Sequence, residues 1–431
     1  MVSNEGSFSS QPKVQAKQKQ NSLIKIQAWP LNLFFSTAIE QKIVDADLII
    51  IAVSTPTKSK GVGAGSATDM TAFEAAMHTV AQNARALAII VEKSTVPCRT
   101  GQLIKETILV HRPGVEFEIL SNPEFLSAGI AVNDLLQPSR MIIGHAKSPS
   151  GEQAAQILAN IYASWIPKDL IITTDVWSSE LAKLAANAML AQRISSINSI
   201  SAICEKTGAD VHEVAACIGS DPRIGAKFLN AGIGFGGSCF KKDILSLVYL
   251  AESLRLDEVG EYWRQVLKMN NFQRERFSER VIQCLNNTLV GKKITLLGYA
   301  FKAGTSDTRD SPALEIIKTL LKEQPKEIAV FDPCCNPVVV REEIETLRNT
   351  CDTLREYGNL ISVYSDAYKA CAEANAVLIT TESDEFRHAS SQAFKSRTTN
   401  HVEKMAPVGP RPFGVYKPTE TEILSLHRFL V

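Results

Sequence analysis

The 431-residue sequence contains no apolar run approaching the roughly 20 residues that a membrane-spanning helix needs. Its longest candidates, such as Leu48 to Val53, have strand length, so no membrane partner is expected. It has no excess of charge either. Lys+Arg and Asp+Glu each total 46, which gives no reason to expect a nucleic-acid partner. There is no Cys-x-x-Cys pair. The nine cysteines are odd in number and sparse, and no signal peptide precedes them, so we expect a reducing cytoplasm rather than a disulfide scaffold. The seven histidines show no close metal-ligand spacing, and no metal is expected. No P-loop and no Gly-x-Ser-x-Gly elbow occurs. No Gly-x-Gly-x-x-Gly follows an N-terminal strand; Gly61-Val62-Gly63-Ala64-Gly65 lies in the wrong context for that fingerprint.

What is present reads as α/β. Ala46 to Val53, Leu87 to Val91, Val115 to Leu120 and Met141 to Gly144 are short apolar runs, and Thr71 to Ala84 between them has helical spacing. Short apolar strands alternating with helices predict a parallel sheet covered on both faces. From Trp177 the pattern turns helical, with Ser178 or Ser179 as candidate cap, and stays helical through Leu285. A second open α/β unit follows, with strands at Lys293 to Leu297, Glu327 to Phe331 and Asn375 to Thr380 and a helix start at Ser311-Pro312. Past Phe386 this order is lost. Pro407, Pro410, Pro412 and Pro418 argue against a regular final strand, and one short helix is expected near Glu422 to Phe429.

In a parallel sheet, ligands sit past the carboxyl ends of the strands, where Ser54-Thr55, Ser94-Thr95 and Asn122-Pro123-Glu124 recur. The sharpest local feature is Gly234-Phe235-Gly236-Gly237-Ser238-Cys239-Phe240-Lys241-Lys242-Asp243. A cysteine at a helix start, near lysines, has a stabilised thiolate; the alternative is a glycine loop with an inert thiol. Lys183 and Asn187 share a helical face, so Lys183 is either an oxyanion partner or an ordinary surface lysine. Asp243 either orients a water or tunes Lys183, or is only a first-turn acid. Glu124 is an acid or base, or positions water together with Thr95. Arg223 offers a bidentate grip on a carboxylate or phosphate, or marks a surface turn.

With these stretches together the chain resembles the UDP-glucose/GDP-mannose dehydrogenase family, in its eukaryotic UDP-glucose 6-dehydrogenase branch. The resemblance spans roughly residues 32 to 387 and is carried by Val53 to Thr57, Glu92 to Pro97, Leu120 to Leu126, Trp177 to Ser201, Asp221 to Asp243 and Gly298 to Arg309. It implies oxidation of UDP-glucose to UDP-glucuronate with NAD as cofactor, through a thiohemiacetal and then a thioester on Cys239. Lys183 would stabilise oxyanions beside Asp243, and Thr95 and Glu124 would organise water. Asn187, Arg223, Phe235, Gly236, Phe301 and Lys302 would bind substrate, with Arg223 reaching into a neighbouring subunit of a homo-oligomer built on dimers. Val53, Ser54, Thr55, Pro56, Thr57, Ser94, Lys242 and Arg309 would lie on the NAD side.

The same resemblance divides the chain. Residues 1–30 are expected to be disordered, 31–176 a truncated NAD-binding Rossmann-like domain, and 177–288 a central helical catalytic and dimerisation domain. Residues 289–387 would form a UDP-sugar-binding Rossmann-like domain, and 388–431 a disordered tail. The fold class is thus two incomplete Rossmann-like sheets joined by helices. The family's Gly-rich first strand and turn have no counterpart, nor does its C-terminal Asp-Gly-Arg, and Ala128 stands where the family carries Glu. These departures define the alternative expectation: an inactive or incomplete variant that cannot bind NAD normally and acts as a subunit partner.

Overall fold

The structure, a computed structural model, describes residues 33–389 and the short segments 406–407, 415–417 and 422–424. The expectation for residues 1–30 therefore lies outside the described residues.

The first unit alternates short strands with helices: α1 (Ile39–Val44), β1 (Leu48–Ile51), α2 (Thr71–Asn83), β2 (Ile89–Glu92), α3 (Thr100–His111), β3 (Glu118–Ser121), α4 (Ala131–Leu136), β4 (Met141–His145), α5 (Pro149–Tyr162) and β5 (Ile171–Asp175). The five strands lie in sequence order. β1, β2 and β3 are parallel, as are β4 and β5; β3 meets β4 in a single antiparallel bridge, Ser121 with Gly144. Because β2 is buried on both faces, Ile89, Ile90 and Val91 form a continuous apolar run rather than an alternating one. One face packs on Phe73, Met77 and Val80 of α2 with Ile104 and Ile108 of α3; the other packs on Leu158 and Tyr162 of α5. Among the described residues β1 is an edge strand, and its Ile50 is exposed.

The central block is α6 (Val176–Thr207), α7 (Val211–Gly219), α8 (Ser238–Ser253) and α9 (Asp257–Cys284). The expected serine cap of α6 is corrected. Asp175 is the cap, its carboxylate accepting from Ser178 N at 3.0 Å, because β5 runs directly into the helix and leaves the strand's last side chain over the open amides. Small residues on α6 (Ala188, Ala191) let it approach α8 (Ile244, Val248) and α9 (Val266) closely.

The second sheet contains β6 (Lys293–Leu297), β7 (Glu327–Phe331), β8 (Ile361–Val363) and β9 (Ala376–Ile379), with α10 (Pro312–Leu321), α11 (Pro337–Arg348), α12 (Asp352–Tyr357), α13 (Ala367–Cys371) and α14 (Asp384–Ala389). Ser311 caps α10 through Ala313 N and Pro312 opens it, as the sequence predicts. The tail departs from expectation. β10 (Ala406–Pro407), β11 (Val415–Lys417) and β12 (Glu422–Leu424) extend this sheet, with β12 parallel to β9, where a loose tail and a helix near residue 422 were expected. The open edge of β9 offers unpaired main-chain groups to any extended segment, and Pro407 sits in the outermost strand, where a missing N–H costs least.

Candidate active site

Two helices and three strand ends build the site. Lys183 is on α6, two turns from its start, and is buried. Its ammonium donates to the Glu124 main-chain oxygen at 2.5 Å and to Glu124 Oε1 at 3.1 Å, and it lies 5.1 Å from the centroid of the Phe125 ring. This buried lysine excludes the surface reading of Lys183. The second Glu124 oxygen accepts from Leu126 N at 2.7 Å, which fixes the carboxylate.

One turn along α6, Asn187 donates to Asp243 Oδ2 at 2.6 Å. Asp243 is buried on α8, four residues beyond Cys239 and therefore on the same helical face. Burial pushes the Asp243 carboxyl up, an effect that the Lys242 ammonium and the Asn187 amide oppose. Cys239 itself is exposed in the first turn of α8. The turn before it explains the glycines. Gly237 precedes the helix with φ +81°, and a Cβ there would come within 2.8 Å of the Phe301 ring. A cavity of about 410 Å³ opens beside Phe235, Gly236 and Gly237, with Asn270, Arg274 and Asp310 in its wall.

The sheet end opposite is tied down by hydroxyls. Val53 N donates to Ser94 Oγ (2.9 Å), and Ser94 Oγ donates to Val53 O (2.8 Å). Thr55 Oγ1 donates to the Thr95 carbonyl at 2.7 Å, and Lys242 Nζ lies 3.4 Å from that hydroxyl. Thr57 bridges to Thr68, so Ser54 and Pro56 stay exposed in a braced loop. Hydroxyls and a cation at the carboxyl ends of β1 and β2 are a donor set that suits the ribose and phosphate groups of a dinucleotide.

Three residues are placed less directly. Arg309 forms a two-pronged pair with Asp307 (2.9 and 2.6 Å), and that pairing holds its guanidinium above its usual range. Arg223 is exposed and pairs with Asp221 of its own turn, away from any buried partner. Lys302 is half-buried in the loop after β6. Among the described residues no group of three or more His, Cys, Asp or Glu side chains is placed to hold a metal.

Sequence reasoning missed three neighbours. Lys93 donates to Asn122 Oδ1 at 3.0 Å and lines a cavity of about 260 Å³ with Glu124, Asp134 and Arg140. Burial, against the pull of Glu124 and with a smaller push from Lys183, lowers its ammonium to about 8. Glu92 and Glu180 form a buried carboxylate pair at the start of α3, with Glu180 accepting from Arg99 N (2.6 Å) and Gly101 N (2.7 Å). The signal for Glu92 was a carboxylate closing an otherwise apolar strand.

Residues 13–166 match the UDP-glucose/GDP-mannose dehydrogenase family, NAD binding domain; residues 177–272 match its central domain and residues 295–403 its UDP binding domain. UDP-glucose 6-dehydrogenase 5 of Oryza sativa subsp. japonica is 44% identical over 407 residues, covering 90% of this chain and 85% of its own. The chain belongs to the UDP-glucose/GDP-mannose dehydrogenase family. UDP-glucose 6-dehydrogenase of Drosophila melanogaster is 49% identical over 357 residues, covering 83% of this chain and 75% of its own. A solved UDP-glucose dehydrogenase from the hyperthermophilic archaeon Pyrobaculum islandicum superposes with a TM-score of 0.71 at 29% identity, over 82% of this chain and 76% of that one. The chain is thus an NAD-dependent dehydrogenase by family, with Rossmann-type sheets. The inactive-partner alternative is not favoured, since the NAD-binding match begins at residue 13 and takes in β1 to β4 of the first sheet.

Proposed function

We propose that this dehydrogenase oxidises the C6 alcohol of UDP-glucose to the aldehyde and then to the acid, giving UDP-glucuronate. Two NAD molecules, bound in turn, would each take up one of the two hydrides. The Cys239 thiolate adds to the aldehyde carbon, and the carbonyl oxygen becomes a hemiacetal oxygen held by the Lys183 ammonium. Oxidation of that carbon leaves a thioester. Water then adds, the C–S bond breaks, and the carboxylate leaves with the thiol restored. Thr95 and Glu124 organise that water, and Asp243 with Asn187 holds Lys183 and the substrate in register. A tethered intermediate cannot escape between oxidations, which is why a cysteine serves better here than two free steps.

Phe235, Gly236, Phe301 and Lys302 would hold the UDP-sugar. Val53 to Thr57, Ser94, Lys242 and Arg309 would hold the cofactor. The observation that carries this reading is the linked set Glu124–Lys183 and Asn187–Asp243 on the face that presents Cys239. A homo-oligomer built on dimers fits the exposed apolar side chains of α6 (Met189, Ile203) and α9 (Tyr262, Phe272), and exposed Arg223 would exchange its Asp221 partner to reach a neighbouring site. The nine cysteines, all among the described residues and without a disulfide, fit a reducing cytoplasm.

The test is to incubate the purified chain with NAD and UDP-glucose and follow NADH absorbance. Sustained NADH formation is expected, and Cys239→Ala should reduce it by a factor on the order of a thousand or more. A wild-type chain that forms no NADH overturns the reading, as does a Cys239→Ala variant that keeps its rate.

A further inference from the structure

The loop that carries Phe301 and Lys302 is held by one carboxylate. Asp332, at the end of β7, is buried. Its Oδ2 accepts from Tyr299 N at 2.7 Å and Ala300 N at 2.9 Å; its Oδ1 accepts from Cys334 N at 2.8 Å and Cys335 N at 2.9 Å. The carbonyls of the same loop are held from the other side. Thr380 Oγ1 donates to Gly298 O at 2.5 Å, and Thr381 Oγ1 donates to Ala300 O at 2.6 Å. Gly298 N donates to Phe331 O at 2.7 Å, and Phe301 N donates to Asp307 O at 3.0 Å. Gly298 has φ +106° and lies so close to Thr381 that a Cβ would come within 2.4 Å of it. The chain therefore leaves β6 in a conformation that needs both clamps. Immediately after them, the Phe301 ring rests against Gly237, two residues before Cys239.

We propose that Asp332 is a positioning residue for the UDP-sugar: through the amides of Tyr299 and Ala300 it sets Phe301 and Lys302 at the sugar-nucleotide site and Phe301 against the start of α8, with Thr381 as its counterpart on the carbonyl side. Asp332 touches neither substrate nor thiol. It acts because a carboxylate alone offers acceptors on both oxygens, two amides to each. An asparagine in its place would turn an NH₂ toward two N–H donors. This proposal rests on the substrate reading given above.

Two measurements on the full chain test it. Amide hydrogen exchange of the segment 298–303 needs no substrate; it should quicken at least about tenfold in Asp332→Asn and in Thr381→Val, while Thr381→Ser, which keeps the hydroxyl, stays near wild type. UDP-glucose binding by calorimetry should weaken roughly tenfold to a hundredfold in the first two variants, with NAD affinity within about twofold of wild type. Unchanged exchange in Asp332→Asn overturns the proposal, as does equal loss of NAD and UDP-glucose binding, which marks general loosening. If Asp332→Asn does not fold, the Thr381→Val and Thr381→Ser pair decides: identical behaviour overturns the clamp, and rescue by serine supports it. A wild-type chain that binds no UDP-glucose sinks the substrate reading and with it the sugar-nucleotide role of Asp332, while the exchange result still shows whether Asp332 sets the loop.

Discussion

Asn187 Nδ2 lies 2.6 Å from Asp243 Oδ2, and this one hydrogen bond joins the helix of Lys183 to the helix of Cys239. The other oxygen of the carboxylate, Oδ1, has no hydrogen-bond partner among the described residues; Lys242 Nζ is 3.7 Å away. A buried acceptor in that state weakens the fold.

Asp243→Asn should therefore separate stability from activity. It removes a buried charge that burial already pushes toward protonation, and it keeps the side chain's shape. We expect a melting temperature equal to or above wild type and turnover lower by about a hundredfold or more. Thermal melts and NADH-linked rates measure the two; a parallel fall in both would make Asp243 merely structural.

Lys183→Met should lose on both counts. The Glu124 carboxylate would keep its Leu126 amide but lose its cation. We expect a cost of about 2 kcal/mol in unfolding free energy and a rate loss of about a hundredfold or more. Urea denaturation with NADH-linked kinetics checks this. Full retention of rate would remove Lys183 from the chemistry.

The Glu92–Glu180 pair predicts a pH slope. Burial raises both carboxyls, Glu180 from 4.5 to about 7, and the charge and hydrogen bond of Glu180 raise Glu92 further. Between pH 4.5 and about 7 the folded chain holds a proton that the unfolded chain releases, so this pair's contribution to stability falls as pH rises through that window. Glu92→Gln, which can donate to Glu180, should flatten the slope and raise the melting temperature at pH 8 relative to wild type. A melt series from pH 5 to pH 8 would show it; an unaltered slope would place the titration elsewhere.

Gly237→Ala tests the turn before the thiol. With φ +81° and ψ 156° the position is open only to glycine, and the added methyl meets the Phe301 ring. A destabilisation of about 1–3 kcal/mol is expected, together with a raised KM for the UDP-sugar as Phe301 is displaced. Calorimetric unfolding and steady-state kinetics read the two effects; an unchanged KM would uncouple Phe301 from the site.

The legible part of this protein was whatever short stretches settle by themselves. Apolar runs with turn residues between them specify β2 and β6. Ser311-Pro312 specifies a helix start, and glycines ahead of Cys239 specify a thiol in a first turn. Lys183, Asn187, Cys239 and Asp243 were visible as residue types at helical spacing. Less legible were caps and sheet edges. Asp175 displaced the expected serines because a strand feeds the helix directly, and the tail strands depend on an edge supplied by a distant β9.

Local spacing by itself determined the class of fold and the helix faces, because these follow from a 3.6-residue or two-residue period. Only the tertiary structure decided that Lys183 meets Glu124 across 59 residues, that Asp243 meets Asn187 across 56, and that Asp332 fastens the Phe301 loop from the next strand. Those choices depend on burial. A carboxylate or ammonium withdrawn from water must find a partner, and which partner it finds is settled by how the sheets and helices close around it, not by its neighbours along the chain.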